Sequence, residues 1–391
     1  MAPSKTKLRV AVIYGGRSGE HEVSLRSAAS VIGNLDRERF EVVPIAIDKQ
    51  GRWLLNDVSL IEAAATPGGT LPVDRNAPPV VLPPQGATAE TNLIRIGPGS
   101  SGQTTGIDVV FPVMHGTLCE DGTIQGLFEL ADVAYVGCGV LASAVGMDKD
   151  VAKRLAREAG IPIAPFIALK KETWERDPKG QLALLLERVK AELGYPVFVK
   201  PSNAGSSVGV HKVKEAASLE KALRDSFRYD RKVLVEKGLD AREIEVSALE
   251  SAEPGAEPLT SVAGEVVPTH EFYSYEAKYL DDNGAKLLIP AKLDAAQMKE
   301  VQKIARDVFV ALDCEGMARV DFFLDRKTGK FWFNEINTIP GFTSISMYPK
   351  MWEASGLSYR ELLSKLIDLA VARQARKRSL LREFHPGEAK G

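Results

Sequence analysis

Apolar residues run unbroken from Leu8 to Tyr14 and stop at Gly15-Gly16. A continuous run closed by a glycine turn predicts a strand of a parallel sheet covered on both faces. The next segment, SLRSAASVIGNL, has helical spacing, with Ser24 placed to cap its N-terminus. FEVVPIAI predicts a second strand, so the chain opens as a β-α-β unit. DVVFPVMHG and VAYVG predict two more strands, and ligands of such sheets bind beyond the carboxyl ends of the strands. An intervening stretch, about 63–106, is rich in Pro, Gly and Thr from Thr66 to Gly106 and predicts an insertion of loops and short hairpins.

Helical spacing returns from Met147 to Gly160, where glycine signals a C-terminus and Ile161-Pro162 breaks the pattern. PVFVKP, GVHKV and VLVEKGL predict strands around a helix at SLEKALRDSF. Past Arg242, EIEVSALE and LTSVAGEVV predict alternating strands, followed by the polar loop PTHEFYSYEAKYLDDNG. A helix, two strands and a last helix from about Tyr359 to Lys377 complete the pattern. The division expected is 1–146, 147–240 and 241–391.

The two late strands carry the densest chemistry, MARVDFFLDRKTGKFWFNEINT. Alternation places Ala318, Val320, Phe322 and Leu324 on a core face and turns Arg319 and Asp321 away from it. A three-residue loop, Lys327-Thr328-Gly329, sets Asp321 opposite Glu335 and Arg319 opposite Asn337, with Phe331, Phe333, Glu335 and Asn337 on one face. Opposed carboxylates repel unless a cation lies between them. Asp, Glu and Asn together offer only oxygen ligands, which suits Mg²⁺; a solvated polar face explains the charges but not their opposition.

A second stretch, KPSNAGSSVG from Lys200 to Gly209, has the composition of a phosphate loop, yet its lysine precedes the glycines, unlike a Walker A sequence. GGRSG likewise fails the dinucleotide fingerprint, which removes the main support for an oxidoreductase. Composition narrows the field further. Fifty basic against 52 acidic residues leave a net charge of -2, without the basic excess expected of a nucleic-acid binder. No apolar run reaches the length of about 18 residues needed to span a membrane, and the stretch after Met1 is too short for a signal peptide. Three scattered cysteines, Cys119, Cys138 and Cys314, fit neither a disulfide framework nor a zinc site, so the reducing cytoplasm is the expected compartment.

Eight segments in order, GGRSGEHEVS, HGTLCEDGTIQG, MDKDVAKRL, FVKPSNAGSSVGV, VLVEKGL, EFYSYEAKYLDD, ARVDFF and NEINTIPGFTSISMYP, give the chain a resemblance to the ATP-grasp ligases. Within them it resembles the D-alanine–D-alanine ligase family over nearly its whole length. The resemblance implies an α/β protein: an N-terminal Rossmann-like, pre-ATP-grasp domain, then a two-part ATP-grasp fold. It implies ATP-dependent ligation of two D-alanine molecules through a D-alanyl phosphate, for peptidoglycan precursors, with ATP and two Mg²⁺ or Mn²⁺ ions. A homodimer is expected, with neither nucleic acid nor membrane as partner. The alternative within the superfamily is a ligase with another acceptor, such as D-lactate. A non-catalytic nucleotide sensor on the same fold predicts eroded metal ligands, and all three are present.

By the same resemblance Lys149 and Lys200 reach the ATP phosphates, and Ser206 and Ser207 belong to the covering loop. Glu236, Lys237 and Leu239 lie on the strand that reads adenine, with Glu243 at the ribose. Asp321, Glu335 and Asn337 hold metal. Glu20 faces the ammonium of the first D-alanine and His115 lines its pocket. Arg319 and the Gly341 amide stabilise the oxyanion, and Ser346 meets the second carboxylate. Lys278 and Tyr279 lie in a closing lid, with Glu20, Ser206 and Tyr279 linking lid and pocket. The D-lactate-using relatives carry a histidine in the region of Tyr279. Cys119 stands where a small residue such as glycine is expected, which leaves open a reactive thiol beside the site.

Overall fold

A computed structural model describes residues 6–66, 68–84, 91–97, 103–268 and 285–381. The first part contains β1 (Leu8–Gly15), α1 (His21–Asn34), β2 (Phe40–Ile47), β3 (Trp53–Leu55), α2 (Val58–Ala64), β4 (Val80–Val81), β5 (Thr91–Arg95), β6 (Thr104–Ile107), β7 (Val109–Val113), α3 (Thr123–Leu130), β8 (Ala134–Tyr135) and α4 (Val140–Met147). The order β3-β2-β1-β7-β8 puts the expected unbroken run, β1, at the sheet's centre, parallel to both neighbours. In the proline-rich insertion β4, β5 and β6 form a small antiparallel sheet.

Ser24 is not a cap. Helix α1 begins at His21, and Ser24 is wholly buried on its inner face. Its hydroxyl accepts from the Gly15 amide at 2.7 Å and donates to the Val113 carbonyl, tying the ends of β1 and β7 together. Gly15 has a φ of +90°, and a Cβ there would lie 2.2 Å from the Ile47 carbonyl oxygen. Only glycine lets the chain turn so close to β2.

The middle part comprises α5 (Lys149–Glu158), β9 (Phe166–Lys170), α6 (Lys171–Arg176), α7 (Pro178–Arg188), β10 (Val197–Pro201), β11 (His211–Val213), α8 (Leu219–Ser226) and β12 (Lys232–Lys237). Its antiparallel sheet, β11-β10-β12-β9, packs with α7 and α8 around a core of its own, including Trp174, Leu185, Val199 and Phe227. Helix α5 is different: Ala152 and Ala156 join the core of the following sheet.

That sheet, β15-β14-β13-β16-β17, is built from β13 (Ala241–Leu249), β14 (Leu259–Pro268), β15 (Ala285–Leu288), β16 (Met317–Asp325) and β17 (Phe331–Asn337). Helices α9 (Ala295–Ala311), α10 (Met347–Ala354) and α11 (Tyr359–Arg378) complete it. Helix α11 packs Leu362, Leu366 and Ile367 into one core with Val10, Ala28 and Phe111 of the first part. Buried Arg373 on α11 donates to the Gly137 and Tyr135 carbonyls, each at 2.6 Å, and locks the two parts together. Among the described residues no helix is long and apolar enough to cross a membrane.

Candidate active site

The β16–β17 hairpin sets the acids opposite each other by a route the alternation does not reveal. Leu324 pairs with Phe331, so the turn spans Arg326 to Gly329, one residue longer than expected. The Asp325 carboxylate closes it, accepting from the Lys327 and Thr328 amides at 3.0 and 2.7 Å, and Gly329 takes its expected left-handed conformation. A bulge at Asn334 then shifts the register back: Phe322 faces Phe333, but Asp321 faces Glu335 and Arg319 faces Asn337. The bulge also corrects the expected face of β17. Phe331 and Phe333 go to the core with Phe322, while Glu335 turns to the cleft.

Each of these acids has a cation of its own. Arg319 donates two hydrogen bonds to Asp321, both 2.8 Å, and contacts Glu245 of β13 at 3.1 Å. The Asn337 amide donates to Asp321 at 3.0 Å, and the Lys149 ammonium lies 3.1 Å from Glu335. Asp321, Glu335 and Asn337 form an all-oxygen donor set of two carboxylates and an amide, which fits Mg²⁺ or Mn²⁺. Among the described residues no three His, Cys, Asp or Glu side chains are grouped to hold an ion. An ion here would need further oxygens beyond these three side chains.

The lysine-first loop faces this hairpin. Asp148 caps α5 and accepts from the Ser202 hydroxyl at 2.8 Å, while the Lys149 amide donates to the Ser202 carbonyl at 3.1 Å. The Lys149 ammonium donates to the Ala204 carbonyl at 2.8 Å, so one lysine touches both the loop and Glu335. Ser206 and Ser207 have φ values of +53° and +58°. Two consecutive non-glycine residues in this region are costly unless the surroundings hold them, and such strain gathers at ligand clamps. Part of the hold is visible: the Ser206 hydroxyl donates to Glu20 at the other side of the cleft.

Lys200 and Glu236 form a buried ion pair between β10 and β12. Glu236 is therefore not an exposed strand-end charge; its other oxygen lies 2.6 Å from Lys153. Lys237 is exposed, Leu239 is half-buried at the end of β12, and Glu243 is half-buried on β13 opposite Phe323.

A cavity of about 490 Å³ lies where the three parts meet. Its wall includes Glu20, His115, Lys149, Ser206, Arg319, Glu335, Asn337, Gly341 and Ser346, nine of the residues singled out from sequence. Lys200, Ser207, Glu236, Lys237, Leu239, Glu243 and Asp321 lie outside that wall. Lys278 and Tyr279 lie outside the described residues. Buried His115 uses both ring nitrogens, Nδ1 toward the Ile339 carbonyl at 3.1 Å and Nε2 toward Ser27 at 3.3 Å. Burial pushes its pKa below the usual imidazole value despite nearby Glu20, so it is a neutral wall and a tie between two parts. Gly341 is packed against Ser346: a Cβ there would lie 2.8 Å from its hydroxyl oxygen.

Glu120 also lines the cavity and was not singled out from sequence. It accepts from the Gly116 amide at 2.8 Å, and burial, followed by the charge of Glu20, pushes its carboxyl up to about 8. Nothing periodic marks it; the only signal is its place inside HGTLCEDG, just past a strand end. The neighbouring Cys119 is buried, and burial, then Glu120 and Asp121, push its thiol up to about 12. Burial therefore works against a reactive thiolate at Cys119.

Residues 9–138 match the family described as D-ala D-ala ligase N-terminus, and residues 155–368 match the one described as D-ala D-ala ligase C-terminus. The chain is 59% identical over 380 residues to D-alanine–D-alanine ligase A of Bradyrhizobium diazoefficiens, covering 97% of this chain and 99% of that one. The chain belongs to the D-alanine–D-alanine ligase family. Its fold is similar to that of the D-alanine-D-alanine ligase from Coxiella burnetii, at a TM-score of 0.78 and 36% identity, covering 96% and 97% of the two chains. It is equally similar to the VanG D-Ala:D-Ser ligase from Enterococcus faecalis, at a TM-score of 0.79 and 35% identity, covering 93% and 100%. The expected ATP-grasp α/β architecture is the fold of this family, and membership implies an ATP-using ligase.

Proposed function

We propose that this protein joins two D-alanine molecules to D-alanyl-D-alanine, using ATP and releasing ADP and phosphate. The observation that carries the reading is the convergence, on one cavity, of Glu335 of the opposed acid pair, Ala204 to Ser206 of the lysine-first loop, and Glu20, which Ser206 contacts. Family membership supplies the substrate class. The three-part division at 1–146, 147–240 and 241–391 belongs to the same reading, as do a cytoplasmic location and a homodimer.

Glu20 is set to receive the ammonium of the first D-alanine, with Ser206 held against it. The carboxylate of that D-alanine attacks the γ-phosphate of ATP, and ADP leaves. Lys149 and Lys200 steady the phosphates, with Ser207 in the loop above them. The adenine lies along Glu236, Lys237 and Leu239, and Glu243 is at the ribose. Asp321, Glu335 and Asn337 would hold two Mg²⁺ or Mn²⁺ ions, which when bound neutralise phosphate charge. The amine of the second D-alanine then attacks the acyl phosphate, and phosphate departs. Arg319 and the Gly341 amide stabilise the oxyanion, a role worth about 3–4 kcal/mol per donor in other enzymes. Ser346, at the N-terminus of α10, meets the second carboxylate, which the helix end favours. Lys278 and Tyr279 would close over the reactants and keep water from the acyl phosphate.

A ligase with another acceptor is the second reading, because the fold is as similar to a D-Ala:D-Ser ligase as to a D-alanine-D-alanine ligase. The test is phosphate release from ATP with Mg²⁺, measured with each D- and L-amino acid in turn and with D-alanine plus D-serine or D-lactate. Release with D-alanine alone, with the dipeptide as product, is expected. Release only when D-serine or D-lactate is added would move the assignment to that acceptor.

A further inference from the structure

Lys153 belongs to no role described so far, yet it is among the most buried side chains of the molecule. It stands on α5 one turn after Lys149, on the same side of the helix, but is almost wholly buried. Its ammonium lies 2.6 Å from one oxygen of Glu236 and donates to the Phe333 carbonyl at 3.2 Å. The other Glu236 oxygen holds Lys200. Two lysines thus share one buried carboxylate, and burial lowers the pKa of Lys153 while Glu236 opposes the shift.

The two lysines are not equivalent. Lys153 is 1% exposed and anchored to a backbone carbonyl beside the Asn334 bulge. Lys200 is 11% exposed, and its second contact is a long one, 3.4 Å to the Asn334 side chain. Lys200 is the member that can leave. If it were the only counter-ion, moving it toward a phosphate would strand a charged carboxylate in the protein interior, where an unpaired charge is strongly disfavoured. With Lys153 in place, Glu236 stays paired after Lys200 departs. Burial pushes the Glu236 carboxyl upward, but the two lysines together outweigh this and hold it below the usual range.

We propose that Lys153 is a positioning residue: it is the permanent counter-ion of Glu236 and thereby releases Lys200 to the nucleotide phosphates. The proposal rests on the assignment of Lys200 to ATP made above.

The test is calorimetric binding of the non-hydrolysable analogue AMP-PNP, with Mg²⁺, to the full-length wild type, Lys153→Met, Lys153→Met/Glu236→Gln and Lys200→Ala. Lys153→Met should trap Lys200 on Glu236 and weaken binding at least ~10-fold, about 1.4 kcal/mol, while the KM for D-alanine stays unchanged. The double variant removes the acid together with its counter-ion and should bind within ~10-fold of Glu236→Gln measured beside it, so that any part Glu236 plays at the adenine cancels. A merely structural role for Lys153 predicts no such recovery. Less than ~10-fold weakening by Lys153→Met, or a double variant that binds no better than the single one, overturns the proposal. Should Lys153→Met not fold, the double variant is set against Glu236→Gln: binding weaker than that of Glu236→Gln by ~10-fold or more overturns it. Unchanged binding by Lys200→Ala overturns the assignment of Lys200 and the proposal with it. Weaker binding by Lys200→Ala but not by Lys153→Met overturns the proposal alone.

Discussion

Asp321 and Glu335 face each other across a hairpin only because a bulge at Asn334 offsets a turn that is one residue longer than the shortest fit. Side chains on a strand change face with every residue, so without the bulge Glu335 would share the face of Phe331 and Phe333 and point into the core with them. Lys149 and Arg319 then hold the opposed acids in place.

Glu335→Gln tests whether those acids hold metal. It keeps volume and removes the charge, so turnover should fall well over 10-fold, more than about 1.4 kcal/mol of transition-state stabilisation. The partly exposed pair with Lys149 should cost the fold about 1 kcal/mol or less. Steady-state kinetics beside thermal unfolding separate the two effects. Turnover within about 10-fold of wild type removes Glu335 from the metal set.

Ser24→Ala tests the buried tie between β1 and β7. The mutation leaves the Gly15 amide and the Val113 carbonyl without this partner, a loss of about 2–3 kcal/mol, larger than the ~1 kcal/mol of an ordinary cap. Denaturant unfolding measures it. A loss under about 1 kcal/mol would mean that other groups satisfy both atoms.

Glu120→Gln bears on pH. In the folded protein burial and Glu20 push the Glu120 carboxyl up to about 8, so it keeps a proton that the unfolded chain has already released. The folded state binds more protons over that interval, and stability therefore falls as pH rises from about 4.5 to about 8. Glutamine cannot titrate. The melting temperature of Glu120→Gln relative to wild type should climb across this interval and level off above it. Parallel melting curves from about pH 5 to about pH 8 would show that Glu120 titrates normally.

The acceptor prediction comes from sequence, since Tyr279 lies outside the described residues. Tyrosine, with a usual pKa of about 10, is neutral at working pH and does not repel an incoming ammonium. Dipeptide should dominate when equal D-alanine and D-lactate compete. Tyr279→His should divert product toward D-alanyl-D-lactate, most clearly below about pH 6.5, where imidazole is charged. Mass analysis of products across pH reads both. Depsipeptide from the wild type would overturn the acceptor; no pH-dependent diversion in the variant would remove Tyr279 as its selector.

Strands with unbroken or alternating apolar patterns, such as β1 and β16, were legible in the sequence because sheet burial writes itself into residue order. The pairing of Asp321 with Glu335 was reached from a turn one residue too short and an unseen bulge, two errors of opposite sign that cancel. Helices α6 and α7 were not legible: Trp174 and Leu185 each stand alone as buried anchors, too few to show a period. Ser24 has the residue type of a cap, and only the tertiary neighbours Gly15 and Val113 decide otherwise. Glu120 and Lys153 were missed for a related reason, since burial of a charge depends on chain segments far away in sequence.

The first part and the C-terminal sheet are welded by α11 into one core, whereas β9 to β12 have a core to themselves. The molecule is therefore a frame and a jaw. Helix α5 belongs to the frame, and the jaw meets it through ion pairs: Lys153 with Glu236, and Lys232 with Asp148 and Asp150. A greasy seam opens only as a whole, but charged contacts can be exchanged one at a time, each for another of like sign. Phosphate charge entering along this seam can take the place of Glu236 at Lys200, while Lys153 and Lys232 keep their carboxylates and the jaw stays seated on the frame.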